Sequence, residues 1–155
     1  MFSKKTHNAK FLEASSETFG TIIGNDTEFH GTLLLSESVR IDGKIVGNIE
    51  VRSNARVTIA IGKTGQVEGD ICAFRVLVAG TIRGNVYASE RVELHDTANV
   101  HGDITYDSIG IEPGASLNGH MISKVGENES EHSPDSATQL QSALDKIKED
   151  SGIKT

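Results

Sequence analysis

The sequence predicts an all-β chain, a single-domain parallel β-helix of about six coils over residues 21–122, flanked by disordered tails at residues 1–20 and 123–155. Three observations predict it: a nine-residue template recurs six times, each copy is joined to the next through a second run of alternating apolar residues, and no repeat holds a helix-length segment.

The six copies are "TEFHGTLLL" (27–35), "GKIVGNIEV" (43–51), "GQVEGDICA" (65–73), "GTIRGNVYA" (80–88), "ANVHGDITY" (98–106) and "ASLNGHMIS" (115–123). The third position is always apolar (Phe29, Ile45, Val67, Ile82, Val100, Leu117), and so is the seventh (Leu33, Ile49, Ile71, Val86, Ile104, Met121). The fifth is always glycine: Gly31, Gly47, Gly69, Gly84, Gly102 and Gly119. Successive template glycines lie 16, 22, 15, 18 and 17 residues apart, so each repeat is one coil of a solenoid and not a domain.

Taken from the N-terminus, residues 1–20 carry three Lys and two acids, a net charge of +1, without an apolar run long enough for a signal peptide. Residues 21–122 hold eight Lys/Arg against thirteen acids, net −5; residues 123–155 hold four Lys against seven acids, net −3. An acidic body without a basic face argues against nucleic-acid binding, because phosphate contacts supply most non-specific affinity. No span is apolar and long enough to cross a bilayer, and the expected compartment is the cytoplasm.

Within the coils, the pairs Val39/Ile41, Val57/Ile59, Val76/Val78, Val92/Leu94 and Ile109/Ile111 alternate with a period of two, so both halves of every repeat read as short strands with one buried face. Stacked at about 4.8 Å, such coils pair in parallel and align their inward side chains in columns. The template glycines then serve corners, where a positive φ or a close backbone approach is needed. Asn48, Asp70, Asn85 and Asp103 follow four of them and are expected to stack along one edge, bonding the local backbone as a structural device and not a metal site. The longest interval places extra residues around Ser53–Asn54 and between Ala60 and Thr64, as a surface bulge.

Chemistry-bearing motifs are sparse. "GKT" at Gly62–Thr64 ends like a phosphate-binding loop, yet Val57 stands where the first glycine belongs and a β coil follows where a helix is required, so no nucleotide is expected. His30 and His101 share a template position but lie four coils apart, about 19 Å, too far for one metal ion. His95, His101 and His120 are scattered over different template positions, and no metal or other cofactor is expected. Cys72, the single cysteine, alternates with Ile71 and Ala73 and should point outward; it cannot form an internal disulfide, which fits a reducing compartment. No Ser/His/Asp or paired-carboxylate arrangement emerges, so no catalytic residue is named. The competing class is a β-helical enzyme, a hexapeptide acyltransferase or a gamma-class carbonic anhydrase; the acyltransferase signature is a strict six-residue step, which these coil lengths do not keep.

Residues 21–122, with the recurrent steps "GNI", "GDI", "GNV" and "GDI" and the ending "IGIEPGASLNGHMI", resemble the bactofilin domain. The resemblance implies a right-handed β-helix that polymerises end to end into filaments without nucleotide. Such filaments often lie on the inner face of the cytoplasmic membrane and help localise cell-wall enzymes or other morphogenetic proteins. Where bactofilins often carry an important phenylalanine in the terminal coil, this chain has Leu117 and Met121.

An open β-helix also exposes unpaired backbone and an apolar cross-section at each end, and soluble solenoids normally cap both. Here "SKVGENESEHSPDS" follows Ile122 directly and is too polar to cover an apolar end, while Phe19, Ile22 and Ile23 are placed either to cap the first coil or to form part of a joint. The expected polymer contacts are Ile23, Phe29 and Leu33 at one end, and Ile111, Leu117, Met121 and Ile122 at the other. If like ends meet, two alternating two-fold contacts give a filament without polarity.

In bactofilins a short apolar and basic N-terminal tail is associated with membrane attachment, and Met1, Phe2, Lys4 and Lys5 match that description. Insertion of Met1 and Phe2 at the headgroup boundary, with Lys4 and Lys5 on anionic lipid, is weak for one tail and strong for a filament that displays many. In the C-terminal tail, Ser136–Gln139 forms a capping-box pattern ahead of Leu140, Leu144 and Ile147, which predicts a short helix near 137–149.

Overall fold

The computed structural model describes residues 18–124, and within them the chain winds through six turns of β-structure. β1 (Thr21–Ile23), β2 (Glu28–His30) and β3 (Leu33–Leu35) make the first turn; β4 (Val39–Ile41), β5 (Lys44–Val46) and β6 (Ile49–Val51) make the second. β7 (Thr58–Ile61), β8 (Gln66–Glu68) and the start of β9 (Ile71–Val78) make the third. The end of β9, β10 (Thr81–Arg83) and the start of β11 (Val86–Leu94) make the fourth, and the end of β11, β12 (Asn99–His101) and β13 (Ile104–Tyr106) the fifth. β14 (Ser108–Ile111), β15 (Ser116–Asn118) and β16 (Met121–Ser123) close the sixth.

Each turn therefore has three sides, where the alternation pattern suggested two strands per coil. The template glycine makes the difference: β5 stops at Val46 and β6 starts at Ile49, with Gly47 at φ 146° turning the chain between them. One side stacks β2, β5, β8, β10, β12 and β15 into a six-stranded parallel sheet. The other two sides share a ten-stranded sheet, because β9 and β11 run through the intervening corner without a break.

Register aligns the inward residues in columns. Phe29, Ile45, Val67, Ile82, Val100 and Leu117 form one, and each neighbouring pair is in register along the six-stranded sheet. On the third side Val39 and Ile41 lie against Ile59 and Ile61, so the pair expected at Val57/Ile59 sits two residues later; Val57 is buried just ahead of the strand. Ile41, Ile45 and Ile49, one from each side of the second turn, are all 0% exposed. Burial of each such side chain is worth about 1.5–3 kcal/mol, and the column repeats that gain every turn.

The uneven coil lengths resolve into two corners. Between the second and third sides the chain takes three or four residues from one ladder to the next, except after Val51, where Ile59 is eight residues on. Between the third and first sides the step is short at Ile41–Lys44 and Val78–Thr81, and two residues longer at Ile61–Gln66, Leu94–Asn99 and Ile111–Ser116. Long corners rest on short ones: Thr64 Oγ1 donates to the Asp42 carbonyl oxygen at 2.7 Å, and Thr97 Oγ1 to that of Ala79 at 2.6 Å. The "GKT" threonine is thus engaged in holding the corner beneath it.

The glycine column has two separate causes, each visible alone at one end. Gly31 in the first turn has φ 133°, yet a Cβ there would meet only ordinary contacts with the Phe29 ring. Gly119 in the last turn has no positive φ, but a Cβ there would fall on the Gly102 carbonyl oxygen. The four glycines between combine both constraints.

The residue after each glycine builds a directional ladder along the same edge. Asn48 Oδ1 accepts the Asp70 N–H at 3.0 Å, Asp70 Oδ1 that of Asn85 at 2.9 Å, Asn85 Oδ1 that of Asp103 at 2.9 Å, and Asp103 Oδ1 that of His120 at 2.9 Å. These bonds satisfy donors at the corner, where the chain turns away from strand geometry. Cys72 is exposed on the outward row.

Candidate functional site at the two open ends

The inward columns lose their cover at both ends. In the first turn Ile23, Phe29 and Leu33 are only partly buried, directly below the fully buried Ile41, Ile45 and Ile49. In the last turn Leu117 is partly buried, while Ile111 is 48% and Met121 50% exposed; in the fifth turn their counterparts Val100, Leu94 and Ile104 are at most 1% exposed. Among the described residues, β1, β2 and β3 pair on one edge only, as do β14, β15 and β16. Each end thus offers unpaired strand edges around an apolar centre, a template for pairing with another chain.

Strand alternation sorts the remaining candidates. Ile22 aligns with Arg40 on the outward row and is 65% exposed, so it does not cover the first turn; Leu34 aligns with Glu50 on the outward row of the second side. Phe19, expected either to cap the first coil or to form part of a joint, lines a lateral groove with Asn25, Arg40, Ala60 and Leu77. Ile122, 37% exposed, alternates with Met121 and so sits at the rim of the last turn. Ile109, the second residue of β14, packs partly buried against the core in the last turn; of the pair Ile109/Ile111 only Ile111 was expected at this end.

Electrostatics at the ends is one-sided. Residues 21–38 contain Asp26, Glu28 and Glu37, residues 107–122 contain Asp107 and Glu112, and neither stretch has a Lys or Arg. Glu28 is 2.7 Å from the exposed His30 ring. At the other end the Asp103 carboxylate accepts the His120 backbone N–H and lies 3.1 Å from Nδ1 of its ring, and these bonds hold it below the usual carboxylate range. Glu112, 5% exposed, lies 2.5 Å from Nδ1 of His95, whose Nε2 is 3.8 Å from Glu93; Arg91 Nε donates to Glu93 at 2.9 Å. The template missed this chain of groups, although "HDTA" and "EPGA" occupy the same long corner one turn apart. Among the described residues, no three His, Cys, Asp or Glu side chains gather as a metal site would require, and no helix is long and apolar enough to cross a membrane. Met1, Phe2, Lys4 and Lys5, and the helix expected near 137–149, lie outside the described residues.

Comparison with known proteins agrees with this geometry. The bactofilin family, described as polymer-forming cytoskeletal, matches residues 21–122. Among curated proteins the chain is 34% identical to bactofilin BacO of Myxococcus xanthus (strain DK1622) over 101 residues, 65% of this chain and 77% of that one. It is 29% identical to bactofilin BacP of the same organism over 113 residues, 73% of this chain and 45% of BacP, so it spans less than half of that relative. No solved structure matches the chain. The family is one of structural proteins, which sets aside the acyltransferase and carbonic anhydrase alternatives. With a stack of parallel β-turns open at both ends and a family match over the whole of that stack, the chain belongs to the bactofilins, polymer-forming cytoskeletal proteins.

Proposed function

We propose that the chain polymerises end to end, without nucleotide, into filaments that lie on the inner face of the cytoplasmic membrane and position cell-wall or morphogenetic proteins. The observation that carries the reading is the loss of cover at the first and last turns, where columns at most 2% exposed in the inner turns end in the partly buried Ile23, Phe29, Leu33 and Leu117 and in Ile111 and Met121, about half exposed. Joining two such ends buries apolar area and pairs strand edges in one step. Ile23, Phe29 and Leu33 form the centre of one joint, Ile111, Leu117 and Met121 that of the other, with Ile122 at its rim. Like ends meet, so each joint is self-complementary and the filament has no polarity. Membrane attachment falls to Met1, Phe2, Lys4 and Lys5, multiplied along the filament.

The test is negative-stain electron microscopy of the purified full-length chain in buffer free of nucleotide and metal. Narrow filaments of uniform width are expected; monomers or discrete small oligomers would overturn the end-to-end reading.

A further inference from the structure

The eight Lys and Arg of residues 21–122 are not evenly used. Arg40 pairs with Asp42, Lys44 and Arg83 with Glu68, Arg75 with Glu90, and Arg91 with Glu93. Three have no carboxylate within ion-pair distance among the described residues: Lys63, Arg52 and Arg56. Two of these three stand at either end of one five-residue segment, "RSNAR", and that segment is the insertion that lengthens the corner after Val51. The loop is shaped by a tight turn, with the Ala55 N–H donating to the Arg52 carbonyl oxygen at 3.0 Å and Asn54 at φ 65°.

The loop does not simply project into solvent. With Val51, Cys72, Ala73, Phe74 and Ser89 it borders an open concavity of about 530 Å³, within the size range of small-molecule sites. Among the described residues its lining has two arginines and no acid, in a body that carries a net charge of −5. The Arg56 guanidinium lies 5.2 Å from the centre of the Phe74 ring, within cation–π range, and a guanidinium can offer two parallel N–H donors to an oxyanion. Ser53 and Ser89 add hydroxyl donors, and Val51, Ala73 and Phe74 supply an apolar floor.

From this convergence we infer that the pocket between the inserted loop and β9 binds a phosphate group, held by Arg52 and Arg56. Two guanidinium forks and two hydroxyls offer more donors than one carboxylate has room to accept, and they suit a tetrahedral oxyanion. The group arrives either on a soluble phosphate ester or on a phospholipid headgroup.

Cys72 lines the pocket and is the only cysteine, so its rate of labelling by N-ethylmaleimide reports occupancy in filaments as well as in monomers. Inorganic phosphate is expected to slow labelling of the full-length chain saturably, by about threefold at twice its Kd, while chloride at equal ionic strength leaves the rate unchanged. In Arg52→Gln/Arg56→Gln the protection is lost, and Arg56→Lys, which keeps the charge without the planar fork, recovers only part of it. Vesicles of phosphatidylglycerol and of phosphatidylcholine separate the two sources: protection by the former, abolished in the double variant although the protein still co-sediments with vesicles, identifies a headgroup; protection by inorganic phosphate alone identifies a soluble ester. A labelling rate that neither phosphate nor vesicles change, or that slows equally with chloride or in the double variant, overturns the site.

Discussion

Gly119 sits so close over Gly102 that a Cβ on the upper residue would coincide with the carbonyl oxygen of the lower one. The same relation links Gly69 to Gly47 and Gly84 to Gly69, where a positive φ is imposed as well. Gly31, in the first turn, has only the φ constraint. Gly31→Ala is therefore expected to cost about 1–3 kcal/mol, the range for one strained backbone position. Gly69→Ala adds a backbone clash inside the stack and is expected to cost more, in the class above about 4 kcal/mol that signals a broken packing feature. Denaturant midpoints of the two variants check the order, and equal losses would remove close approach as the reason for the inner glycines.

The proposed joint at the last turn is addressed by Met121→Glu, which would place a carboxylate in that apolar contact. Filaments should disappear while the circular dichroism of the folded rod is retained. Leu34→Glu, a substitution of equal chemistry on the outward row, should leave filaments intact. Sedimentation separates the two, and loss of polymer in both variants would show that overall charge, and not the end cross-section, governs assembly.

Because neither end turn carries a Lys or Arg, like charge would oppose the proposed end-to-end contacts. Raising salt from about 0.01 M to about 0.1 M shortens the screening length from about 30 Å to about 10 Å and should lower the critical concentration for assembly. Light scattering at fixed protein concentration measures it; weaker assembly with added salt would point to opposite charges meeting in the joint.

Asp103 carries a pH signature. Its carboxylate is held below the usual value of 3.8, first by the backbone N–H of His120 and then by the His120 side chain. A depressed carboxylate contributes stability that is fully present above its unfolded pKa and is lost as pH falls through the folded one. The stability difference between the wild-type chain and Asp103→Asn should be constant well above 3.8, the usual carboxylate value, and should shrink as pH falls through and below it. Thermal melts across that range would detect it, and a difference that grows on acidification would refute the assignment.

Deletion of residues 2–5 should release filaments from anionic liposomes without affecting their assembly. Co-flotation that persists after the deletion would remove Met1, Phe2, Lys4 and Lys5 from the attachment.

The repeated positions were legible because each is a steric or hydrophobic requirement met once per turn. The column Ile45, Val67, Ile82, Val100 and the ladder Asn48, Asp70, Asn85, Asp103 both stand where the template puts them. The pair Ile59/Ile61 was shifted by two residues, because an insertion just before a strand leaves the alternation intact while moving its register. Glu112 was invisible, since a lone acid in a corner looks solvent-exposed until His95, one turn below, is brought against it.

Sequence by itself determined the number of turns, the parallel stacking and the apolar columns, because period-two alternation and a glycine at a constant template position are local rules repeated along the chain. Only the tertiary structure decided that each turn has three sides, that Phe19 and Ile22 lie away from the first turn's open face, and that Arg52 and Arg56 share a pocket with Cys72 and Phe74. Those outcomes depend on how far a corner rotates the chain and on which residues it carries past one another, quantities set by backbone torsions and by contacts between turns and not by the identity of any one residue.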